Sequence, residues 1–412
     1  MKKLFFLILV FLPAYGFSQE IPGQYLSVAA ENNPGLKALF NEYMAALEQI
    51  PQVKTLPDPR LAFGFFIRPV ETKAGPQQAK ISFDQLFPWF GSLKANADVA
   101  SQQAKAKYEL FEETRSRLFW EVKNAYYDLY FTQKAIDITL ENINILNSLS
   151  RLSLSNVGAG SSSSVDQLRI DMDVADMENQ LALLKNRAAY EQVLFNNLLN
   201  VDNETPVIFP VNFSDTALLQ DRETVMDSIL RNNHQLRKLD FDRAVFQSKE
   251  VIARKQGAPS VNIGFDYIFI GESDNPGIEP GLSGRNAVVF PRIGLTIPLY
   301  RKKYKAMVRQ TVYRRQAVSN RKTEKINVLE TLLEKVFKDY DDARRRLKLY
   351  QRQTVSARQA MQILQADYAN NNTGFEEVLR MEKRILKYDL ELEKAKTDIN
   401  AARAFIEYLT GR

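Results

Sequence analysis

Two periodicities alternate along this chain. Long stretches repeat apolar residues in steps of four and three, and short stretches repeat them at every second position. From Ser92 to Val157 there is no proline or glycine. Within that span Leu118, Val122, Ala125, Leu129, Thr132, Ile136, Thr139, Ile143, Leu146, Ser150, Ser153 and Val157 hold a seven-residue rhythm. A later stretch repeats it through Leu329, Leu333, Val336, Tyr340, Ala343, Leu347, Tyr350, Thr354, Ala357, Met361, Leu364 and Tyr368. Such a repeat predicts coiled-coil helices. About 65 helical residues span roughly 100 Å, wider than a globular core. Each long helix runs into a turn rich in Gly, Asn or Ser (Val157–Ser164, Ala369–Gly374), and a second heptad stripe follows. One returning stripe carries Ile170, Val174, Met177, Leu181, Leu184, Ala188, Phe195 and Leu198, with Glu191 interrupting. The other runs from Val378 to Leu409. Both are therefore antiparallel helical hairpins. Many stripe residues are Ala, Ser or Thr, which suits helices laid side by side in a sheet or cylinder.

The period-two segments are strands. Their bulky faces carry Leu61, Phe63, Phe65 and Ile67; Ile81 and Phe83; Val261, Ile263, Phe265 and Tyr267; Ile293 and Leu295. Their other faces carry Asp84, Asn262, Asp266 and, next after Phe66, Arg68. A half-buried soluble strand gives the same pattern, but no other globular core is present to cover these. Polar, irregular loops are expected at Pro69–Ala79 and Gly271–Ala287. Aromatic corners with Trp89, Phe90 and Tyr300 join the strands to the long helices, and such rings favour a water–lipid interface. The expectation is that the bulky face meets lipid and the polar face a watery lumen. Four strands cannot close, and open edges in lipid cost several kcal/mol per unpaired group. Several chains must contribute. Three would give twelve strands, although the number three does not follow from the pattern.

The chain repeats itself. ENNPGLKAL (Glu31–Leu39) aligns with RNNHQLRKL (Arg231–Leu239), and Pro59, Leu61, Phe63, Gly64 and Phe65 align with Pro259, Val261, Ile263, Gly264 and Phe265. SSVDQLR (Ser163–Arg169) aligns with GFEEVLR (Gly374–Arg380). Two copies of one unit follow. The first, 19–212, holds a helix, a β-hairpin at 60–87 and a helical hairpin at 92–200. The second, 213–412, holds a helix, a β-hairpin at 260–297 and a helical hairpin at 302–411. Residues 1–18 read as a secretory signal peptide: Lys2 and Lys3, an apolar run from Leu4 to Leu12, then small residues with cleavage after Gly16 or Ser18.

Composition narrows the function. Charged residues make up 25% of the chain, so it is not a polytopic helical membrane protein. Net charge is +6 and dispersed, which does not indicate nucleic-acid binding. There is no cysteine, so disulfides, zinc–thiolate sites and an acylated N-terminal cysteine are excluded. The one histidine, His234, stands opposite Pro34 in the repeat and reads as a structural surface residue. No phosphate loop, nucleophile elbow or convergent catalytic set appears; no enzymatic activity, cofactor or metal site is expected.

In their order, these features resemble the TolC-type outer membrane efflux channel family. They are the leader, the duplication, the NNPGL opening, LPDPRLAFGF, the Pro88 corner, and the turns before VDQLR and EEVLR. The resemblance covers nearly the whole mature chain. It implies a mainly α fold with a small transmembrane β part: a homotrimer with a shared twelve-stranded β-barrel and a long α-barrel crossing the periplasm. It implies a passive conduit working with a periplasmic adaptor and an inner-membrane pump of the resistance-nodulation-division type. GPQQ…QLFPWFGSLK (Gly75–Lys94) resembles the branch serving heavy-metal pumps. Acidic residues just after the helical turns form the family's periplasmic gate, and Asp166, Glu376 and Glu377 match them. Arg380 stands at a later position that is acidic in the family. Arg169 and Arg380 are candidate partners for the carboxylates, which by themselves also suit helix N-termini. The competing readings are a periplasmic adaptor-like coiled coil without a pore, and an exported enzyme. An adaptor should have many short strands and a single helical hairpin, against four strands and a full duplication here.

Overall fold

The computed structural model describes residues 23–158, 164–210, 213, 220–273, 277, 284, 288–369 and 375–412. The expected leader, most of both helical turns and most of the Gly271–Ala287 loop lie outside these residues. Among the described residues the order two helices, two strands, two long helices occurs twice. The first unit is α1 (Gly23–Asn32), α2 (Pro34–Lys54), β1 (Arg60–Thr72), β2 (Gly75–Phe87), α3 (Ser92–Gly158) and α4 (Ser164–Leu199). The second is α5 (Arg222–Asn232), α6 (His234–Lys255), β3 (Ser260–Ile270), β4 (Val288–Thr296), α7 (Arg301–Ala369) and α8 (Phe375–Leu409).

Each unit opens with two helices where one was expected. Asn33 and Asn233 are extended and break the run. The Asn33 side chain accepts from the Leu36 amide, and Asn233 accepts from Gln235 and Leu236. Pro34 enforces the break in the first unit, because the residue before proline avoids helical geometry. In the second unit the asparagine cap alone suffices.

The heptad stripes are the helix–helix seams. Val122, Thr132, Thr139 and Ser153 are buried in α3, as are Leu333, Ala343 and Met361 in α7. α3 packs against α2, α4, α6 and α8, and α7 packs against α6 and α8. Two rows result: α4–α3–α8–α7 toward the helical turns, and α2–α3–α6–α7 toward the sheet. Each row ends in helices from opposite units, with an uncovered outer flank. Exposed apolar side chains lie on both end helices of the first row, including Leu168, Met172 and Tyr190 on α4 and Val355 and Ile363 on α7.

The strands form one antiparallel sheet in the order β1-β2-β3-β4. Among the described residues, no helix packs against either face of it. Polarity had suggested a loop over Pro69–Ala79, but β1 and β2 extend through most of it to a turn at Lys73–Ala74. The Thr72 hydroxyl donates to the Gly75 carbonyl and accepts from the Ala74 amide. Pro69 is accommodated where the β1–β2 register shifts, between Phe65 and Val70.

Candidate functional site

Three sites follow from this scaffold: the two faces of the sheet, the corner beneath it, and the helical tip. Register puts the predicted apolar residues on a single face. Leu61 pairs with Phe83, Phe83 with Phe265, Phe63 with Ile81, and Ile81 with Tyr267. Ile263 pairs with Ile293, and Val261 with Leu295. Phe65 and Ile67 continue the row at 82% and 98% exposure, so none of the described residues covers it.

The opposite face is charged. Arg292 lies 3.0 Å from Asp84 and 3.1 Å from Asp266; Lys80 lies 3.9 Å from Asp266. The Asn262 amide donates to Asp84. Arg292 reaches from β4 to β2 across Gly264, where a Cβ would sit 2.5 Å from the Asp84 carboxylate. Ser82 and Asp266 are buried although no layer covers this face. Arg292 and Lys80 lie against Asp266 and shield this face. Phe66 and Phe290 interrupt its polarity. Arg292 was not singled out from sequence; the alternation Pro291-Arg292-Ile293 held the signal.

At the corner, Trp89, Phe90 and Tyr300 are exposed at the ends of the strands. At the tip, the five candidate gate residues come together. Asp166 lies in the first turn of α4, and Glu376 and Glu377 in the first turn of α8. Arg169 lies 3.7 Å from Asp166 and 3.6 Å from Glu376. Arg380 lies 3.0 Å from Glu376 and 3.4 Å from Glu377. Glu376 thus takes both guanidiniums and ties the two hairpins together, and Lys383 to Asp173 adds a second tie at 2.8 Å. The pairs are largely exposed, so each contributes about 0–1 kcal/mol. Beneath them Ile170, Tyr368, Phe375 and Val378 form an apolar plug.

Two buried polar sites lie away from these. His234 is buried, against the expectation of a surface residue. Its Nδ1 is 2.8 Å from Glu109, which also holds Arg237 at 2.8 Å. The Asn142 amide donates to Glu382, whose carboxyl is pushed above the ordinary range, first by burial and then by Asp389. Among the described residues, no cluster of metal-ligating side chains occurs, and no helix is long and apolar enough to cross a membrane.

Residues 25–200 match the family described as outer membrane efflux protein. Over that stretch the chain is similar to outer membrane efflux proteins. The outer-membrane channel OprN is similar at 17% identity and TM-score 0.77, over 94% of this chain and 89% of that one. The outer membrane protein VceC from Vibrio cholerae is similar at 13% and 0.76, covering 94% and 95%. CusC is similar at 14% and 0.77, covering 94% and 91%. No curated protein matches by sequence. The family match falls within the first unit, and the structural likeness in fold extends over the second.

Proposed function

We propose that this chain is an outer membrane efflux protein, the channel component of a tripartite efflux system, and that three copies close into a twelve-stranded barrel in the outer membrane, above a helical barrel that crosses the periplasm. One observation carries the reading: an open four-stranded sheet whose apolar face is bare and whose edges, β1 and β4, lack strand partners among the described residues. In lipid each unpaired backbone group costs several kcal/mol, so closure by neighbouring copies is obligatory. The edges differ, as do the helical flanks, which favours a head-to-tail ring over a two-fold pair. The charged face then lines the water path. Transport is passive, with energy supplied by an inner-membrane pump of the resistance-nodulation-division type through a periplasmic adaptor.

The gate lies at the tip. Three copies of Asp166, Glu376 and Glu377 would repel one another around a narrow opening. Arg169 and Arg380 offset that repulsion and link the hairpins, so they hold the closed form. Single-channel recording in planar bilayers tests both parts. The wild type should show rare, low-conductance openings, and Arg169→Ala with Arg380→Ala should raise conductance or open probability several-fold. A protein that forms no pore in bilayers overturns the channel reading. A double variant with wild-type openings overturns the gate alone.

A further inference from the structure

We propose that the groove between the end of α6 and the first turns of α7 binds the phosphate-bearing headgroup of an anionic phospholipid in the periplasmic leaflet. The proposal rests on the membrane reading above. The groove has a volume of about 460 Å³ and is lined by Arg254, Arg301, Tyr304, Lys305 and Arg309. Arg301, Lys305 and Arg309 follow one another at four-residue spacing, on one face of α7. From Arg301 to Arg321 the helix carries no acidic residue, unlike the mixed charge of an ordinary solvated face.

The acids nearby are already engaged. Glu250 holds Arg254 at 2.7 Å and Arg315 at 3.0 Å. Lys305 and Arg309 have no acidic partner among the described residues. Arg301 donates to the Gly257 carbonyl, which fixes its guanidinium at the groove wall. The groove therefore presents positive charge that the chain itself leaves uncompensated.

Its height in the molecule selects a lipid. Leu295, Ile297, Leu299 and Tyr300, all exposed, immediately precede Arg301. Arg309 lies about 12 Å further down the helix, and long basic side chains reach upward toward headgroups. Beside the groove, a second cavity of about 530 Å³ is lined by Leu56, Phe87, Trp89, Phe90, Pro259 and Val261, an apolar shelf for an acyl chain. Lys255 joins the two by donating to the Phe90 carbonyl at 2.8 Å.

The test is native mass spectrometry of the full-length assembly in nanodiscs of phosphatidylcholine with graded phosphatidylglycerol. The wild type should retain phosphatidylglycerol in preference to phosphatidylcholine. Lys305→Gln with Arg309→Gln removes two exposed, unpaired charges and should lower that preference roughly thirtyfold at low salt, less at high salt. A wild type that inserts but retains both lipids alike overturns the proposal, as does a double variant with full preference. Displacement of the lipid by millimolar inorganic phosphate reassigns the groove to free phosphate. Failure of the wild type to enter nanodiscs overturns the membrane reading itself.

Discussion

Glu382 sits on α8 with its carboxyl buried against Asn142 of α3, a position where a charge is costly. Burial and Asp389 raise its pKa, and the Asn142 hydrogen bond partly offsets them. The folded state therefore holds this proton more tightly than the unfolded chain does. The stability it contributes is complete below the ordinary carboxylate range and is lost as pH rises through the raised value. Glu382→Gln keeps an acceptor for Asn142 and removes the titration. Its thermal midpoint in detergent should match the wild type near about pH 4 and exceed it by a few degrees at neutral pH. An equal loss at both pH values would contradict this. Residues of this kind are the least legible in the sequence. Glu191 read as an interruption of a stripe, yet it is buried and paired with Arg187 at 2.7 Å. His234 read as surface because its partner, Glu109, comes from another element far along the chain.

Elements are legible where period and packing coincide. The α3 and α7 stripes ran true because helices press on two flanks, so Thr132 and Ser153 are buried as surely as Leu329. Turns were harder. If the sheet sits in lipid as proposed, the Pro69–Ala79 segment is polar because it rises beyond the apolar belt, and polarity alone does not separate a loop from a strand in water. The β1–β2 turn instead depends on Gly75. Its φ is +124°, and a Cβ there would lie 2.0 Å from the Gly271 carbonyl oxygen. Gly75→Ala combines a forbidden backbone with a collision, at a cost above about 2 kcal/mol. The expected result is a lower yield of heat-resistant oligomer on unheated gels, with α-helical circular dichroism preserved. An unchanged yield would show that the turn relaxes freely.

For the whole molecule, the sidedness of the sheet decides where the protein resides. Lysine at Phe65 or Ile67 would place charge on the bare face, at about 2–4 kcal/mol for each copy near the bilayer midplane. Phe65→Lys with Ile67→Lys should abolish outer membrane fractionation, whereas Lys80→Gln on the charged face should leave it intact. Equal behaviour of the two would count against a lipid-facing belt. The order of helices and strands was legible from the periodicities, and the faces of the sheet from alternation. The number of copies was not, because closure depends on strand tilt and stagger, which no residue pattern encodes.

The unlike flanks of each copy have a genetic consequence. A copy damaged only along α4 still offers an intact α7, so it is recruited and spoils its neighbours. If three copies close the ring as proposed, a cell making healthy and damaged copies equally would hold roughly one whole ring in eight. Such alleles should be dominant, and the merodiploid strain should be nearly as sensitive to the exported compounds as the null.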